Sequence, residues 1–148
     1  MLVSRHALLI LDDCEHLVEG SARLAESLLR SCPKLAILAT SREPLQIGGE
    51  TVLPVPTLHT VDPERPPSVK DLLECEAVRL FADRAAAVRP GFVLNAENAK
   101  PVTEICHRLD GIPLAIELAA ARVQMFSVEH ISERLQDPDN IQLEFFMV

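Results

Sequence analysis

No apolar run in this 148-residue sequence approaches the ~20 residues that span a bilayer, and the N-terminus lacks the charged-then-apolar plan of a secretory signal. A soluble, cytoplasmic protein is the expectation. Positive charge is scarce: 14 Lys and Arg stand against 22 Asp and Glu, a formal net charge of −8. That balance argues against this segment gripping nucleic-acid phosphates, so any DNA contact would belong to other sequence. The cysteines, Cys14, Cys32, Cys75 and Cys106, form no C-x-x-C pair and have no histidine at zinc-ligand spacing. They indicate neither a metal site nor a disulfide framework, and a buried structural role is left to them. No internal repeat or low-complexity tract is present.

What is abundant is apolar surface. With 48% hydrophobic residues the chain suits one compact domain or two small lobes. The stretch ALLILDDCEH, Ala7 to His16, runs five apolar residues directly into two carboxylates. A short apolar run without alternation reads as a strand covered on both faces, as in a parallel α/β sheet. Leu17, Ser21, Leu24, Ala25, Leu28 and Leu29 then recur at helical spacing until Cys32-Pro33 stops them. A second run, Leu35 to Ala39, follows at the distance a βαβ unit requires. The two strands should be parallel and end on the same edge, which brings Asp12 and Asp13 beside Thr40, Ser41 and Arg42. Open α/β sheets bind ligands at that edge.

A turn at Gly48-Gly49 and a short strand at Thr51 to Val55 complete this α/β part, residues 1–56. The proline-rich stretch 57–69 reads as a linker. Residues 70–136 read as a wholly helical lobe. Leu73, Ala77, Leu80, Phe81, Ala85 and Val88 mark one helix face, preceded by a Ser68/Asp71 capping box. Val102, Ile105, Cys106 and Leu109 mark a second helix that ends near Gly111. Pro113 can open a third, PLAIELAAARV, apolar nearly all round and expected to be buried. Ser127 can cap a fourth through about Leu135. The tail, 137–148, with Phe145, Phe146 and Met147, has no clear period.

Adjacent carboxylates at the end of a parallel strand suit magnesium: one holds the ion through water, the next orients a water against a phosphate. The competing reading is that Asp12 and Asp13 cap the following helix. For Arg42 the competing reading is a surface ion pair, and for Pro113 a plain helix-starting proline. His16 and His107 have no nucleophile partner and read as capping or packing residues.

The segments LLILDDCEHL, LAILATSREPL, SVKDLLECEAVRLFADRA and EICHRLDGIPLAIELAAARV, in this order and spacing, resemble the nucleotide-binding core of STAND-class P-loop ATPases. The similarity is closest to the NB-ARC-like module of LuxR-type and antibiotic-regulatory bacterial transcriptional regulators, and covers roughly residues 5 to 136. It implies a partial parallel P-loop NTPase sheet followed by a small helical lobe, with ATP or ADP and Mg2+ as cofactors. By position, Asp12 matches the Walker B magnesium aspartate, held through water, and Asp13 the residue near the attacking water, where many relatives carry asparagine. Arg42 matches the sensor arginine that reads the terminal phosphate, with Thr40 and Ser41 beside it. Pro113 matches the proline that packs on adenine, with Gly111 opening its turn.

One departure is large. The phosphate loop, G-x-x-x-x-G-K-[ST], is absent, and none of Lys34, Lys70 and Lys100 follows a glycine. The resemblance therefore implies the middle of a longer regulator, unable to hydrolyse ATP alone, whose partners are the rest of that protein. An empty slot for the missing strand implies self-association through strand edges. Two other readings stand beside this one: a non-enzymatic interaction module, and a phosphate-accepting receiver domain. The receiver reading needs a lone acceptor aspartate after a later strand and a Lys-Pro near the end, and neither is in place.

Overall fold

The computed structural model describes residues 6–64 and 68–136, and within it the chain divides into two compact units at Pro54/Val55. The first unit is a βαβ arrangement. Strand β1 (Ala7–Leu11) leads through a short 3-10 turn, Cys14–His16, into helix α1 (Val18–Ser31), and β2 (Leu35–Ala39) returns parallel to β1. The register pairs Ala7 with Leu35 and Leu11 with Ala39. The helix ends where the sequence stops it: the Cys32 N–H still reaches the Leu28 carbonyl at 2.8 Å, and Pro33 follows. The Leu35 N–H then bonds the Cys32 carbonyl at 3.0 Å, so the chain enters β2 through a tight turn.

Two features of this unit differ from expectation. The strands are not covered on both faces: burial alternates along each, with Leu8, Ile10 and Leu38 each more than half exposed. Two strands and one helix supply one cover, on the face of Leu9, Leu11, Leu35 and Ile37, and the chemistry of the residues does not reveal which face it is. Residues 51–55 form no strand and are exposed. Pro54 and Pro56 explain this, because residues i and i+2 donate to the same edge and both lack the N–H. The turn at Gly48-Gly49 forms as expected, closed by the Glu50 N–H on the Ile47 carbonyl at 3.2 Å, and the Glu50 carboxylate accepts the Leu45 N–H at 2.9 Å and the Gln46 N–H at 2.7 Å.

The second unit is helical: α2 (Val69–Leu72), α3 (Glu76–Val88), α4 (Ala99–Arg108), α5 (Pro113–Ala121) and α6 (Val128–Arg134). They enclose one apolar core, with Leu72, Phe81, Ile105, Ile116 and Ile131 fully buried. The Ser68 hydroxyl accepts the Asp71 N–H at 3.3 Å, and Ser127 caps α6 in the same way through the His130 N–H. The helix expected to run on from Ser68 is broken after one turn. Leu73 is exposed, and the chain restarts at Cys75, whose thiol donates to the His59 carbonyl at 3.0 Å. Leu80 packs on the core as expected, and Val78, beside it, is fully buried.

Helix α5 is buried on one side only. Ile116, Ala119 and Ala120 face the core, whereas Leu114 and Leu118 are exposed, because α3 and α4 pack on one side of α5 and leave the other bare. The stretch read as a linker is in part structure of this unit. Leu58 and Val61 pack on the core, and the Leu58 N–H donates to the Gly111 carbonyl at 2.9 Å. Residues 65–67 and the tail 137–148, including Phe145, Phe146 and Met147, lie outside the described residues.

Candidate functional site

The candidate residues fall into two groups, one in each unit. In the first, the parallel register carries the chain ends of β1 and β2 out side by side, and hydrogen bonds extend the pairing past both strands. The Thr40 N–H donates to the Leu11 carbonyl and the Cys14 N–H to the Thr40 carbonyl, each at 2.9 Å. Thr40 is the centre of the arrangement. Its hydroxyl donates to Asp12 Oδ1 and accepts the Asp13 N–H at 3.0 Å. Asp12, Asp13, Thr40, Ser41 and Arg42 are all exposed.

Asp13 has φ 54° and ψ 43°, in the left-handed region. Asp and Asn tolerate that conformation better than other residues with a Cβ. The position is thus constrained by its backbone, whatever its carboxylate does. Neither carboxylate caps a helix: no side-chain cap bond forms at Asp13, and the residue before α1 is Leu17. The capping reading of the acidic pair is therefore not realised. The ion-pair reading of Arg42 is: its Nε lies 3.2 Å from Glu15 Oε1. Ser41 is turned to a local task, its hydroxyl accepting the Glu43 N–H at 3.3 Å.

No group of three or more His, Cys, Asp or Glu among the described residues could hold a metal ion. The acidic pair does not fit an ion held by protein alone. Two carboxylates are the number that magnesium commonly takes from protein when water and phosphate oxygens fill the rest of its octahedron. Thr40 fixes one oxygen of Asp12 and leaves the other for such a contact.

In the second unit, Gly111 and Pro113 form the turn between α4 and α5. The Asp110 N–H reaches the His107 carbonyl at 3.0 Å and the Gly111 N–H the Cys106 carbonyl at 3.2 Å, a Schellman ending with Asp110 at φ 50° and Gly111 at φ 67°. Glycine is required at 111, because a Cβ there would lie 2.0 Å from the Leu58 carbonyl oxygen. Pro113 occupies the first turn of α5, as a helix-starting proline does, and Ile112, Pro113 and Leu114 are all exposed around it.

Two residues organise the first group and were missed from sequence: Glu15, partner of Arg42, and Glu50, which holds the loop after it. Glu15 stands three residues beyond Asp12, but nothing in its spacing identifies Arg42 as its partner. His16 and His107 are exposed. All four cysteines are buried and unpaired, and burial, with Cys75 nearby, pushes the Cys106 thiol up to about 12.

Over 134 residues the chain is 49% identical to proteins named "Putative HTH-type transcriptional regulator" in Mycobacterium tuberculosis (Rv0890c) and Mycobacterium bovis (Mb0914c), covering 90% of this chain and 14% of each relative. Over 130 residues it is 47% identical to "Uncharacterized protein Rv0894" of Mycobacterium tuberculosis, covering 88% of this chain and 30% of that protein. The chain thus spans a minor part of the length of the curated relatives it matches. No protein-family model and no solved structure matches it. No helix among the described residues is long and apolar enough to cross a membrane.

Proposed function

We propose that this chain is a segment of a nucleotide-dependent switch in a transcriptional regulator, and that it supplies the edge that meets the terminal phosphate and its magnesium. The regulatory part of this reading is supported by the names of the mycobacterial relatives. The nucleotide part is supported above all by one observation: Thr40 ties Asp12 and Asp13 together at the carboxyl edge of a parallel strand pair, with Arg42 on the same edge. In this reading Asp12 holds Mg2+ through water, Asp13 stands near the attacking water, and Thr40, Ser41 and Arg42 approach the phosphates. In the helical unit, taken by itself, the turn that Gly111 opens leaves Pro113 exposed as the candidate surface for an adenine of ATP or ADP.

The chain alone hydrolyses no ATP above background. Positioning and charge neutralisation do nearly all the work in phosphoryl transfer, and no lysine follows a glycine here to cradle the phosphates. Calorimetry with Mg-ATP and Mg-ADP tests the assignment. Arg42→Ala should weaken the triphosphate more than the diphosphate; equal losses would remove Arg42 from the terminal phosphate. Turnover that Asp12→Ala abolishes would refute the inactive segment.

The second reading, a non-enzymatic interaction module, is favoured by the open sheet face of Leu8, Ile10 and Leu38 and by strands that each have one neighbour among the described residues. Unpaired strand edges pair with other chains, here with the rest of the regulator or a second copy. Light scattering over a concentration series separates the cases, since a monomer at every concentration rules out self-association.

A further inference from the structure

Arg42 already has an anion. Its Nε is 3.2 Å from Glu15 Oε1, and the partners are unequal: the Glu15 side chain is 16% exposed and that of Arg42 83%. Glu15 belongs to the 3-10 turn just beyond the acidic pair, and the Cys14 N–H pins that turn to the Thr40 carbonyl at 2.9 Å. The carboxylate is therefore placed by backbone pairing, and the long exposed guanidinium side chain is placed by the carboxylate. Asp12, Asp13 and Glu15 set three negative charges against this one cation.

We propose that Glu15 is the positioning residue for Arg42: it retains the guanidinium at the strand edge while no phosphate is present, and yields it to a terminal phosphate. A phosphate that takes the Nε edge of the guanidinium must displace Glu15, and one that stops short of that edge need not. Glu15 thereby sets the preference between triphosphate and diphosphate. The identity of the ligand rests on the nucleotide reading above; the ion pair does not. An ion pair with one side chain this exposed is weak, so the exchange is inexpensive, and a phosphate offers the guanidinium more acceptor oxygens than the carboxylate does.

A double-mutant cycle on the full chain separates this from general repulsion. Wild type, Glu15→Gln, Arg42→Gln and the double variant are titrated with Mg-ATP and Mg-ADP by NMR, alongside Glu43→Gln as a carboxylate without an ion-pair partner among the described residues. Glu15→Gln should tighten ATP about two- to fivefold and leave ADP nearly unchanged. The gain should vanish in the Arg42→Gln background, and Glu43→Gln should not reproduce it. In the ligand-free chain the Arg42 side chain should be less restrained, with a lower Nε order parameter, in Glu15→Gln than in wild type.

Equal tightening of ATP and ADP, or a gain that survives without Arg42, overturns the proposal in favour of bulk charge. Binding by none of the chains sinks the nucleotide reading and the exchange role with it. Equal Arg42 Nε order parameters in wild type and Glu15→Gln overturn the pair itself, whatever the nucleotides do.

Discussion

The two units solve the burial problem differently. The helical unit closes on itself: α3, α4, α5 and α6 surround Phe81, Ile105, Ile116 and Ile131, and Leu58 and Val61 complete the enclosure from the preceding segment. The βαβ unit does not close. Its buried apolar residues are small or peripheral, Cys14, Ala25, Cys32, Leu35 and Leu45, while Leu8, Ile10 and Leu38 face outward. A parallel sheet has two apolar faces, and one helix covers one of them. Apolar residues of the same kinds therefore yield a core in one unit and an open face in the other. Charge follows the same division: the described residues that gather acid and arginine at a strand edge sit on the unit with less internal packing.

The comparison can be broken most severely in the helical unit. Phe81→Ala should destabilise it by about 3–5 kcal/mol, through lost burial and the cavity left behind. The chain has no Trp or Tyr, so amide hydrogen exchange resolved by residue is the suitable measurement. A loss under about 1 kcal/mol would mean that this core is not closed.

Gly111→Ala should cost about 1–3 kcal/mol, from the left-handed backbone and the clash with the Leu58 carbonyl. Faster exchange at the Leu58 amide should accompany it, because that N–H is bonded to Gly111 itself. An unaltered Leu58 amide would place the docked segment elsewhere.

Cys106 gives a pH test of the same core. Its folded pKa is raised from 9.0 to about 12, first by burial and second by Cys75. The unfolded chain therefore loses this proton at lower pH than the folded chain. The contribution is complete below pH 9 and declines by about 1.4 kcal/mol per pH unit above it, until the folded thiol ionises near 12. Urea titrations from pH 8 to 10.5 should show a shallower decline in Cys106→Ala than in wild type. Parallel declines would mean that the thiol is not buried.

Effects in the βαβ unit should be smaller. Thr40→Val removes the hydroxyl that joins Asp12 to the Asp13 N–H, and should cost about 0.5–1.5 kcal/mol with the Asp13 amide losing protection. Ile10→Thr, on the open face, should fall within about 0.5 kcal/mol of wild type. A loss like that of Phe81→Ala would show that the face is covered after all and would erase the contrast between the units.

The sequence determined what local chemistry can determine. Apolar runs bounded by Asp12 and by Pro33 and Thr40 set β1 and β2, Ser127 set the start of α6, and Pro113 set the start of α5. These signals lie within a few residues of their effect. The spacing of a βαβ unit also brought Asp12, Asp13 and Thr40 to one edge, because a helical crossover leaves two parallel strands ending together. Tertiary structure decided the rest. It chose which faces of β1, β2 and α5 are covered, since an apolar side chain is the same whether or not a neighbour arrives. It docked Leu58 against Gly111 across 53 positions of chain. It gave Arg42 to Glu15 rather than to Glu43 next to it, because the pairing of Cys14 with Thr40 sets which carboxylate lies within reach, and sequence distance does not.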